Sequence, residues 1–386
     1  MMPMKNKVSI TACESYTQAR QALEEALHLI GGLDWVQPGM KIAVKANLVS
    51  MLKPEAAATT HPALLQALAQ MLCEKGAQVT IGDSPGGIYT KVYLDRIYAV
   101  TGMKEIPKTT DAKLNWDFSV KQADFPQGKV NKEFAYTGWL DNADAIINVC
   151  KLKTHGMMTL SAAAKNIFGA VPGTVKPEYH YRFPEPADFA DMIIDLNEYF
   201  KPRLHIIDGV VGMEGNGPTA GTPRPIGILI ASENPHAADL LGASIIGLAP
   251  QEVPTLVAAQ RRGLIPNTAE ELDICGIDWK ARIIPDYQLV KAVRSLRFNR
   301  GSEKFFGRIS AAVMDRALAS KPKLIPADCI GCKECYKVCP ADAIEMIRKK
   351  PKIHRNKCIR CFCCQEFCPK GALKVQRPLL AKILVK

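Results

Sequence analysis

The sequence lacks the marks of export and of a membrane span. Its first ten residues, MMPMKNKVSI, contain no apolar core of the kind found in a signal peptide. No stretch approaches the roughly 20 consecutive apolar residues that cross a bilayer. We therefore expect a cytoplasmic protein without a transmembrane segment. With 386 residues, of which 47% are hydrophobic and 23% charged, the chain is long enough for a globular fold of two or three domains.

Recognisable nucleotide-binding loops are also missing. The glycine-rich segments GDSPGG (82–87) and GMEGNGP (212–218) match neither the Walker loop nor G-x-G-x-x-G. Their glycines still allow the backbone to approach a ligand closely. These segments therefore favour contact with some ligand without indicating a nucleotide.

Acidic residues are scarce in the last quarter of the chain. Residues 291–386 carry 23 Lys and Arg against 7 Asp and Glu, whereas residues 1–290 carry 27 against 31. Such asymmetry is typical of a segment that meets an acidic partner, a membrane surface or nucleic acid. Nucleic acid is not expected, because aromatic residues are thinly interleaved with the basic ones.

Nine of the 13 cysteines lie between residues 329 and 368. Two runs repeat the spacing C-x2-C-x2-C-x3-C-P, the bacterial ferredoxin pattern for two 4Fe-4S clusters, in which the fourth cysteine of each run ligates the other cluster. The spacing predicts a first cluster on Cys329, Cys332, Cys335 and Cys368, and a second on Cys358, Cys361, Cys364 and Cys339.

The two cysteine runs form an internal repeat. An offset of 29 residues places all four ligands of one run on those of the other, as a pseudo-twofold ferredoxin requires. Zinc and disulfides are the alternatives, but zinc sites usually separate two C-x2-C pairs by a longer loop, and disulfides are rare without export. Two oxidised clusters add about −4 of charge, which balances part of the basic surplus. The ninth cysteine, Cys363, is expected to be a packed thiol.

The segment before the cysteine runs is basic and has helical periodicity. Apolar residues recur at helical spacing between residues 289 and 325, and Gly301-Ser302 divides the segment in two. These helices are expected to pack the ferredoxin domain against the rest of the chain; the alternative is peripheral contact with a membrane. The predicted division is therefore an α/β domain over 1–288, this linker over 289–325, the ferredoxin domain over 326–376 and a tail over 377–386.

The α/β domain is predicted from short β-rich runs that alternate with helical periods. Strands are expected at Lys41–Val44, Val79–Ile81, Ala145–Val149, Leu204–Ile207 and Ile226–Ile230. Helices are expected at Tyr16–Ile30, Pro62–Lys75, Ala187–Phe200, Ala237–Ile246 and Val253–Arg262. This alternation predicts a mostly parallel sheet with helices on both faces, followed by a small ferredoxin-like α+β domain. Residues 100–140 have shorter polar segments and are expected to form an insertion or a small lobe.

Polar residues follow the predicted strands, at the edge where an open α/β sheet binds its ligands. They are Lys45 and Asn47; Asp83 and Ser84; Lys151, Lys153 and His155; and Asp208 with Glu214. Loops are polar in any case, so each residue alone is equally consistent with solvation.

Lysines in this set are candidates for binding an anion. Lys45, Lys151, Lys153 and Lys165, with Asn166 beside them, could converge on phosphate or carboxylate oxygens. A helix beginning near Thr159–Ser161 would add the partial positive charge of its N-terminus. Alternatively, Lys151 and Lys153 only extend to solvent from a strand end. Cys150 is either an activated thiol or, as we expect, a small buried one.

Other residues are candidates for proton transfer. His155 and His61 lie in predicted turns. Asp208 and Glu214 could bind a divalent ion or move protons. The loop Val175–Pro186, which mixes aromatic residues with prolines, resembles a lid or else an ordered surface crossing.

Several segments in one order resemble domain-of-unknown-function family 362, found in bacteria and archaea and sometimes fused to a ferredoxin. They are KIAVKANL, TTHPALLQAL, VTIGDSPGG, INVCKLKTHGMMTLSAAAKNIFG and a segment beginning DGVVGMEGNGPTAG. The resemblance covers most of residues 8–260 and implies an iron-sulfur protein, but no particular reaction. Ala46 departs from the family pattern, in which a proline stands between the lysine and the asparagine, so a rigid turn is not implied here.

Two classes of function follow. In the first, the protein is an iron-sulfur oxidoreductase: a redox partner protein reduces the ferredoxin domain, and electrons pass to an anionic substrate or cofactor in a lysine-lined crevice. Lys151 and Lys153 would neutralise charge, His155 or His61 would supply protons, and Asp208 or Glu214 would assist. In the second, the protein is an electron carrier or adaptor that performs no chemistry of its own.

Overall fold

A computed structural model describes residues 6–289 and 320–376. Most of the predicted basic linker (289–325) and the whole predicted tail (377–386) therefore lie outside the described residues. Within the described ranges, no helix is both long enough and apolar enough to cross a bilayer.

The main sheet of the α/β part has nine strands within the described residues. They are β1 (Lys7–Ala12), β2 (Lys41–Lys45), β3 (Gln78–Gly82), β4 (Lys113–Leu114), β7 (Ala145–His155), β8 (Thr159–Ser161), β9 (Leu204–Glu214), β10 (Thr222–Ser232) and β11 (Asp273–Gly276). Two further strands, β5 (Val120–Asp124) and β6 (Glu133–Thr137), form a separate antiparallel pair within the predicted insertion.

The sheet is mixed but mostly parallel. Its order is β11-β1-β10-β9-β7-β2-β3-β4, with β8 paired to β7 at the side. Only β10 and β8 run antiparallel to their neighbours. The carboxyl ends of β2, β3, β7 and β9 therefore meet at one edge, which is where a ligand site is expected in this class of fold.

Nine helices of the α/β part flank the sheet and its loops in the described residues. They are α1 (Ala19–Leu29), α2 (Pro62–Glu74), α3 (Lys91–Val100), α4 (Ile106–Thr109), α5 (Ala163–Asn166), α6 (Lys176–Arg182), α7 (Pro186–Phe200), α8 (Pro235–Ile245) and α9 (Pro254–Arg261). Proline opens α2, α7, α8 and α9, because the first turn of a helix needs no backbone N–H and proline already has the required φ.

Helices cover both faces of the sheet. Ile147 and Val149 of β7 pack into one core with α1 and α2, whereas Cys150 and Leu152 of the same strand pack into a second core with α7 and α8. Strands buried on both faces are typical of parallel sheets, whose crossover helices lie on either side. The predicted α/β class is confirmed.

Strand β7 differs from its prediction. We expected it to end at Val149, but it continues through Lys151 and Lys153 to His155 and turns back into β8. The helix expected near Thr159–Ser161 is instead the four-residue α5, which is too short to supply an N-terminal anion site. The polar residues Lys151 and Lys153 do not have the pattern of a buried strand. They can be buried there because their hydrogen-bond and ion-pair partners come from distant parts of the chain. The segment Val175–Pro186, which was expected to be a lid or an ordered surface crossing, contains helix α6.

The C-terminal part contains two copies of one backbone unit. Its described elements are β12 (Lys321–Leu324), α10 (Glu334–Lys337), β13 (Ile344–Ile347), β14 (Lys350–Ile353), α11 (Cys363–Glu366) and β15 (Leu373–Gln376). Strand β12 pairs with β15, and β13 with β14. Lys333 and Phe362, which precede the two helices, both have positive φ, 66° and 62°. The 29-residue offset read from the cysteines thus also relates the helices, the strands and the turns.

Candidate functional site

Two small apolar cavities lie in the C-terminal part. The first is lined by Cys329, Cys332, Cys335 and Cys368. The second is lined by Cys339, Cys358, Cys361 and Cys364, with the buried Cys363 also in its wall. Each cavity therefore receives three cysteines from one run and one from the other.

These cavities fit iron-sulfur clusters better than single metal ions. In residues 6–289 and 320–376, no group of three or more His, Cys, Asp or Glu side chains is arranged to hold one metal ion. Four cysteines around one small apolar cavity suit a cluster of several irons. The backbone N–H of Ala343 donates to Cys339 Sγ at 3.2 Å, and that of Ala372 to Cys368 Sγ at 3.3 Å. Such bonds stabilise a thiolate and influence the potential of a cluster that it ligates.

A crevice of about 920 Å³ lies between the carboxyl edge of the sheet and the C-terminal part. Asn47, Asp83 and Lys153 line it from the sheet edge, and Glu366 and Cys368 line it from the C-terminal part. The volume is that of a site for a small molecule or cofactor. Cys368 also lines the first cluster cavity, so this cavity and the crevice share a wall.

Contacts across the crevice fix the two parts to one another. Gln365 Nε2 donates to Asn216 O at 2.9 Å, and Thr219 Oγ1 donates to Glu366 O at 3.3 Å. At Gly86 a β-carbon would lie 2.9 Å from the Phe367 ring, so only glycine allows this approach without a shift. The loop between β9 and β10 and the turn after β3 therefore form the docking surface for α11 and the residues after it.

Lys153 is held at the crevice by the loop after β2. Its Nζ donates to Asn47 Oδ1 at 2.7 Å and to Ala58 O at 2.6 Å. An ammonium group has three donors, so one N–H remains for a ligand. Burial, reinforced by the charge of Lys165, lowers the pKa of Lys153 to about 7.

Two further lysines flank the ring of Phe168. Lys165 on α5 is 8% exposed, and its Nζ lies 5.6 Å from the ring centroid. Lys176 on α6 lies 5.9 Å from the same centroid and donates to Ser84 O and Val171 O. Burial lowers the pKa of Lys165, and it lowers that of Lys176 to about 7. We did not predict Lys176, although a Lys-Pro pair after the turn at Pro172-Gly173 is a helix-start signal that could have pointed to it.

Lys45 and Asp83 neutralise each other behind the crevice wall. Lys45 Nζ lies 2.6 Å from Asp83 Oδ1, and neither side chain is more than 4% exposed. Asp83 also accepts the backbone N–H of Leu48 at 2.7 Å and that of Ser84 at 2.8 Å. Asp83 lines the crevice and Lys45 does not. This pair therefore shapes the loops and leaves no charge for a ligand.

Ser84 and Asn166 also line the crevice, but their side chains form hydrogen bonds to other parts of the protein. Ser84 Oγ accepts the backbone N–H of Gly173 at 2.9 Å. Asn166 Nδ2 donates to Asn148 Oδ1 at 2.7 Å and to Ala46 O at 3.2 Å. Asn166 Oδ1 is buried and has no hydrogen-bond partner in the described part of the chain, which leaves it as an acceptor for a ligand.

Lys151, Asp208 and His61 lie outside the crevice. Lys151 Nζ lies 2.6 Å from Asp208 Oδ2, both side chains are fully buried, and the Tyr16 hydroxyl contacts both. His61 Nδ1 accepts the backbone N–H of Ala63 at 3.2 Å, which caps α2, and its ring stacks on Tyr16. Burial lowers the pKa of His61 to about 4. These residues form a network of their own, in which Lys151 and Asp208 are fully buried, and do not line the crevice.

His155 and Glu214 do not line the crevice either. His155 Nδ1 accepts the backbone N–H groups of Met157 and Met158, so its proton is on Nε2, which lies 3.6 Å from Glu366 Oε1. Burial and the charge of Lys165 lower the pKa of His155 to about 4. His155 therefore supports Glu366 from behind as a neutral ring. Glu214 accepts the backbone N–H of Gln288 at 3.1 Å.

Cys150 is a buried thiol, as we expected. It is 1% exposed and contacts Ile206 O at 3.5 Å. Burial raises its pKa well above the ordinary value, so the thiolate needed for reaction is disfavoured.

Two acidic residues that sequence reasoning missed organise the lysines. Asp239 on α8 accepts the backbone N–H groups of Ala163 and Ala164 at 2.6 and 3.0 Å, which fixes the short helix that carries Lys165. Glu366 faces the same lysine: burial alone would raise the pKa of Glu366, but the charge of Lys165 and the contact with His155 hold it well below its usual range. No local sequence signal marks either residue, because each acts on a segment far away in the chain.

Comparison with solved structures gives only distant likeness. The lactate racemase apoprotein from Thermoanaerobacterium thermosaccharolyticum is 11% identical with a TM-score of 0.38, and the match covers 62% of this chain and 57% of that one. A Thermotoga maritima protein is 12% identical with the same TM-score, over 58% of this chain and 57% of that one. The chain thus spans little more than half of these proteins, and neither match bears on function.

Family comparisons are more specific. The thylakoid-associated protein sll1697 of Synechocystis sp. is 32% identical over 277 residues, which are 69% of this chain and 83% of that protein. A family model for a domain of unknown function (DUF362) matches residues 42–244, and one for a 4Fe-4S dicluster domain matches residues 321–369. The chain belongs to the DUF362 family and carries a C-terminal dicluster domain for two 4Fe-4S clusters.

Proposed function

We propose that the protein is an iron-sulfur oxidoreductase that reduces an anionic molecule bound in the crevice. The observation that carries this proposal is the position of Cys368, which lines both the first cluster cavity and the crevice. A molecule in the crevice would therefore lie against the wall of a cluster site. An electron carrier has no need of a lysine-lined crevice of about 920 Å³ at that wall.

The two cysteine sets given above would hold the clusters. When bound, 4Fe-4S clusters supply one-electron transfer. A two-electron reduction requires two electrons from an external one-electron carrier protein and two protons. Lys153 and Lys176 border the crevice with pKa values near 7, so their ammonium groups are suited to donate protons at neutral pH. Lys165 would neutralise the negative charge of the substrate.

The second candidate is an electron carrier or adaptor, which the outer surface of the first cluster site favours. Cys332 is exposed, and its neighbour Ile330 is 61% exposed. The turn at Arg348 and Lys349 packs closely on the same loop. A β-carbon at Gly331 would lie only 2.8 Å from Lys349 O. An apolar spot with basic neighbours suits an acidic redox protein. An oxidoreductase needs the same surface to accept electrons, so the crevice distinguishes the two candidates.

Anaerobic reoxidation of the chemically reduced protein tests the proposal. Low-molecular-weight fractions of a cell extract are added to the reduced protein, and the visible absorbance of the clusters is followed. We expect one fraction to reoxidise the wild type, and Lys153→Met to react at least tenfold more slowly with unchanged iron content. Lys323→Met, at an exposed position of the dicluster domain that does not line the crevice, is the control and should match the wild type.

Equal rates in wild type and Lys153→Met would contradict a reaction in the crevice. Reoxidation by an electron-transfer protein but by no small molecule would favour the carrier.

A further inference from the structure

We infer that the crevice binds a dianion: an organic molecule with two negative charges, either a dicarboxylate or a phosphate monoester. This inference rests on the proposed function only in taking the crevice as the substrate site. It specifies the charge and the chemical class of the molecule bound there.

The charge balance of the enclosed lining indicates two negative charges. Three ammonium groups, those of Lys153, Lys165 and Lys176, face the crevice from three different elements. Asp83 is already neutralised by Lys45 at 2.6 Å. Of the other acidic residues in the described lining, Glu334 pairs with Lys337 and Asp328 is exposed, which leaves Glu366 with a side chain 16% exposed. Three ammonium groups and one carboxylate leave a surplus of two positive charges. The exposed Lys370 and Asp328 of the lining offset one another, and the half-buried Lys374 adds a further positive charge, so the surplus is at least two.

The hydrogen-bonding capacity of these lysines agrees with the charge count. Within the described residues, no hydrogen bond from Lys165 Nζ to the protein is observed; the group lies 5.6 Å from the centroid of the Phe168 ring, and Glu366 supplies a nearby counter-charge. A buried ammonium group without an acceptor is strongly unfavourable unless a ligand supplies one. Lys153 and Lys176 each use two of their three donors on the protein. At least three N–H groups therefore remain for the oxygens of a bound anion.

The remaining lining indicates an organic body between the two charged groups. Phe168 lies close to both Lys165 and Lys176, with its ring centroid 5.6 and 5.9 Å from their Nζ atoms. Tyr93 and Phe367 add further apolar surface. Phe168 is only 4% exposed, so the half-buried rings of Tyr93 and Phe367 offer most of the apolar surface on which a carbon skeleton can pack. An inorganic ion would leave this surface uncovered.

Isothermal titration calorimetry of the oxidised full-length holoprotein, without electron donor and at constant ionic strength, tests the inference. The probes are succinate and phenyl phosphate as dianions, succinamate as the monoanion and succinamide as the neutral molecule. We expect at least one dianion to bind ten times or more tightly than succinamate, and succinamide not to bind. Preference for succinate or for phenyl phosphate identifies the source of the charge, and either preference supports the inference.

Variants with opposite expected effects sharpen the test. Lys165→Met and Lys176→Met should each weaken dianion binding by roughly 10- to 100-fold, the range for loss of one charge-assisted hydrogen bond. Lys323→Met, at an exposed position of the dicluster domain outside the crevice, should bind as the wild type does. Glu366→Gln removes the internal negative charge and should bind dianions more tightly, with iron content measured to confirm that both clusters remain.

Equal binding of dianion and monoanion, or unchanged affinity in Lys165→Met, would overturn the inference. Its failure is distinguishable from failure of the proposed function. Dianion binding without any reoxidation would refute the oxidoreductase and leave the dianion site standing. Reoxidation by a neutral or monoanionic molecule would support the oxidoreductase and refute the dianion site.

Discussion

Replacing Asp208 by asparagine removes the counter-charge of a lysine that has no access to solvent. Lys151 Nζ lies 2.6 Å from Asp208 Oδ2, and both side chains are fully buried. The other partners of Lys151 are the Tyr16 hydroxyl at 2.8 Å and Val211 O at 3.1 Å, neither of which carries a charge. Breaking a buried ion pair from one side costs about 3–5 kcal/mol, because one charge stays buried without compensation. That is a large part of the roughly 5–15 kcal/mol by which a domain is stable.

The two single substitutions should not be equivalent. Asp208 retains three other donors when Lys151 is lost: the Tyr16 hydroxyl at 3.0 Å, His61 N at 2.9 Å and Val210 N at 3.3 Å. Lys151→Met should therefore destabilise less than Asp208→Asn. The double variant contains neither charge, so it should be more stable than Asp208→Asn alone. We expect a coupling energy of about 2–3 kcal/mol between the two sites, within the range for residues of one buried network.

Urea unfolding under anaerobic conditions measures these differences. All four tryptophans (Trp35, Trp116, Trp139 and Trp279) precede the dicluster domain, so their fluorescence reports on the α/β part, while visible absorbance reports on the clusters. Dianion binding in the crevice should survive in all three variants, because this network does not line it. A loss below about 1 kcal/mol in Asp208→Asn, or single effects that simply add in the double variant, would refute a buried charged pair.

Two further outcomes follow from the cluster sites and from the lysines. Cys335→Ser should reduce the iron content from about eight to about four atoms per chain, because Cys335 lines the first cavity and not the second; iron analysis that still finds eight would contradict this ligand set. Dianion affinity should fall as the pH rises from 7 to 9, because Lys153 and Lys176, with pKa values near 7, lose their charge in this range, and calorimetry in buffers of different ionisation enthalpy should show proton uptake on binding. A flat pH profile without proton uptake would show that neither lysine contacts the anion.

Some features could be predicted from the sequence because they depend on local spacing. The cysteine pattern indicates two 4Fe-4S clusters, and the family comparison confirms that cofactor. The strand and helix periods indicate the α/β class, with several ends within one or two residues of those observed, such as Pro62–Glu74 against the predicted Pro62–Lys75. Both signals are contained in a few neighbouring residues.

The rim could not be resolved in this way, because the partners of its residues lie far away in the chain. Lys151 and Lys153 are two positions apart in one strand, yet the first pairs with Asp208, 57 residues away, and the second faces the crevice beside Asn47, 106 residues away. Glu366 is also invisible to local patterns, since it acts on lysines some 200 residues earlier. A list of polar residues after strands cannot separate a buried ion pair from a ligand site.

The two copies of the backbone unit in the dicluster domain lie in different surroundings. The two copies have matching turns, helices and cysteines, but their surroundings differ. The first cavity includes the exposed Cys332 and borders the crevice through Cys368, whereas Phe362 beside the second cavity is 3% exposed and packs into the core of the α/β part. Solvent exposure and neighbouring charge set the potential of a cluster as much as its ligands do. Two sites with the same ligand type are therefore expected to have different reduction potentials. The packing of the dicluster domain on the α/β part thus makes its two equivalent halves functionally unequal.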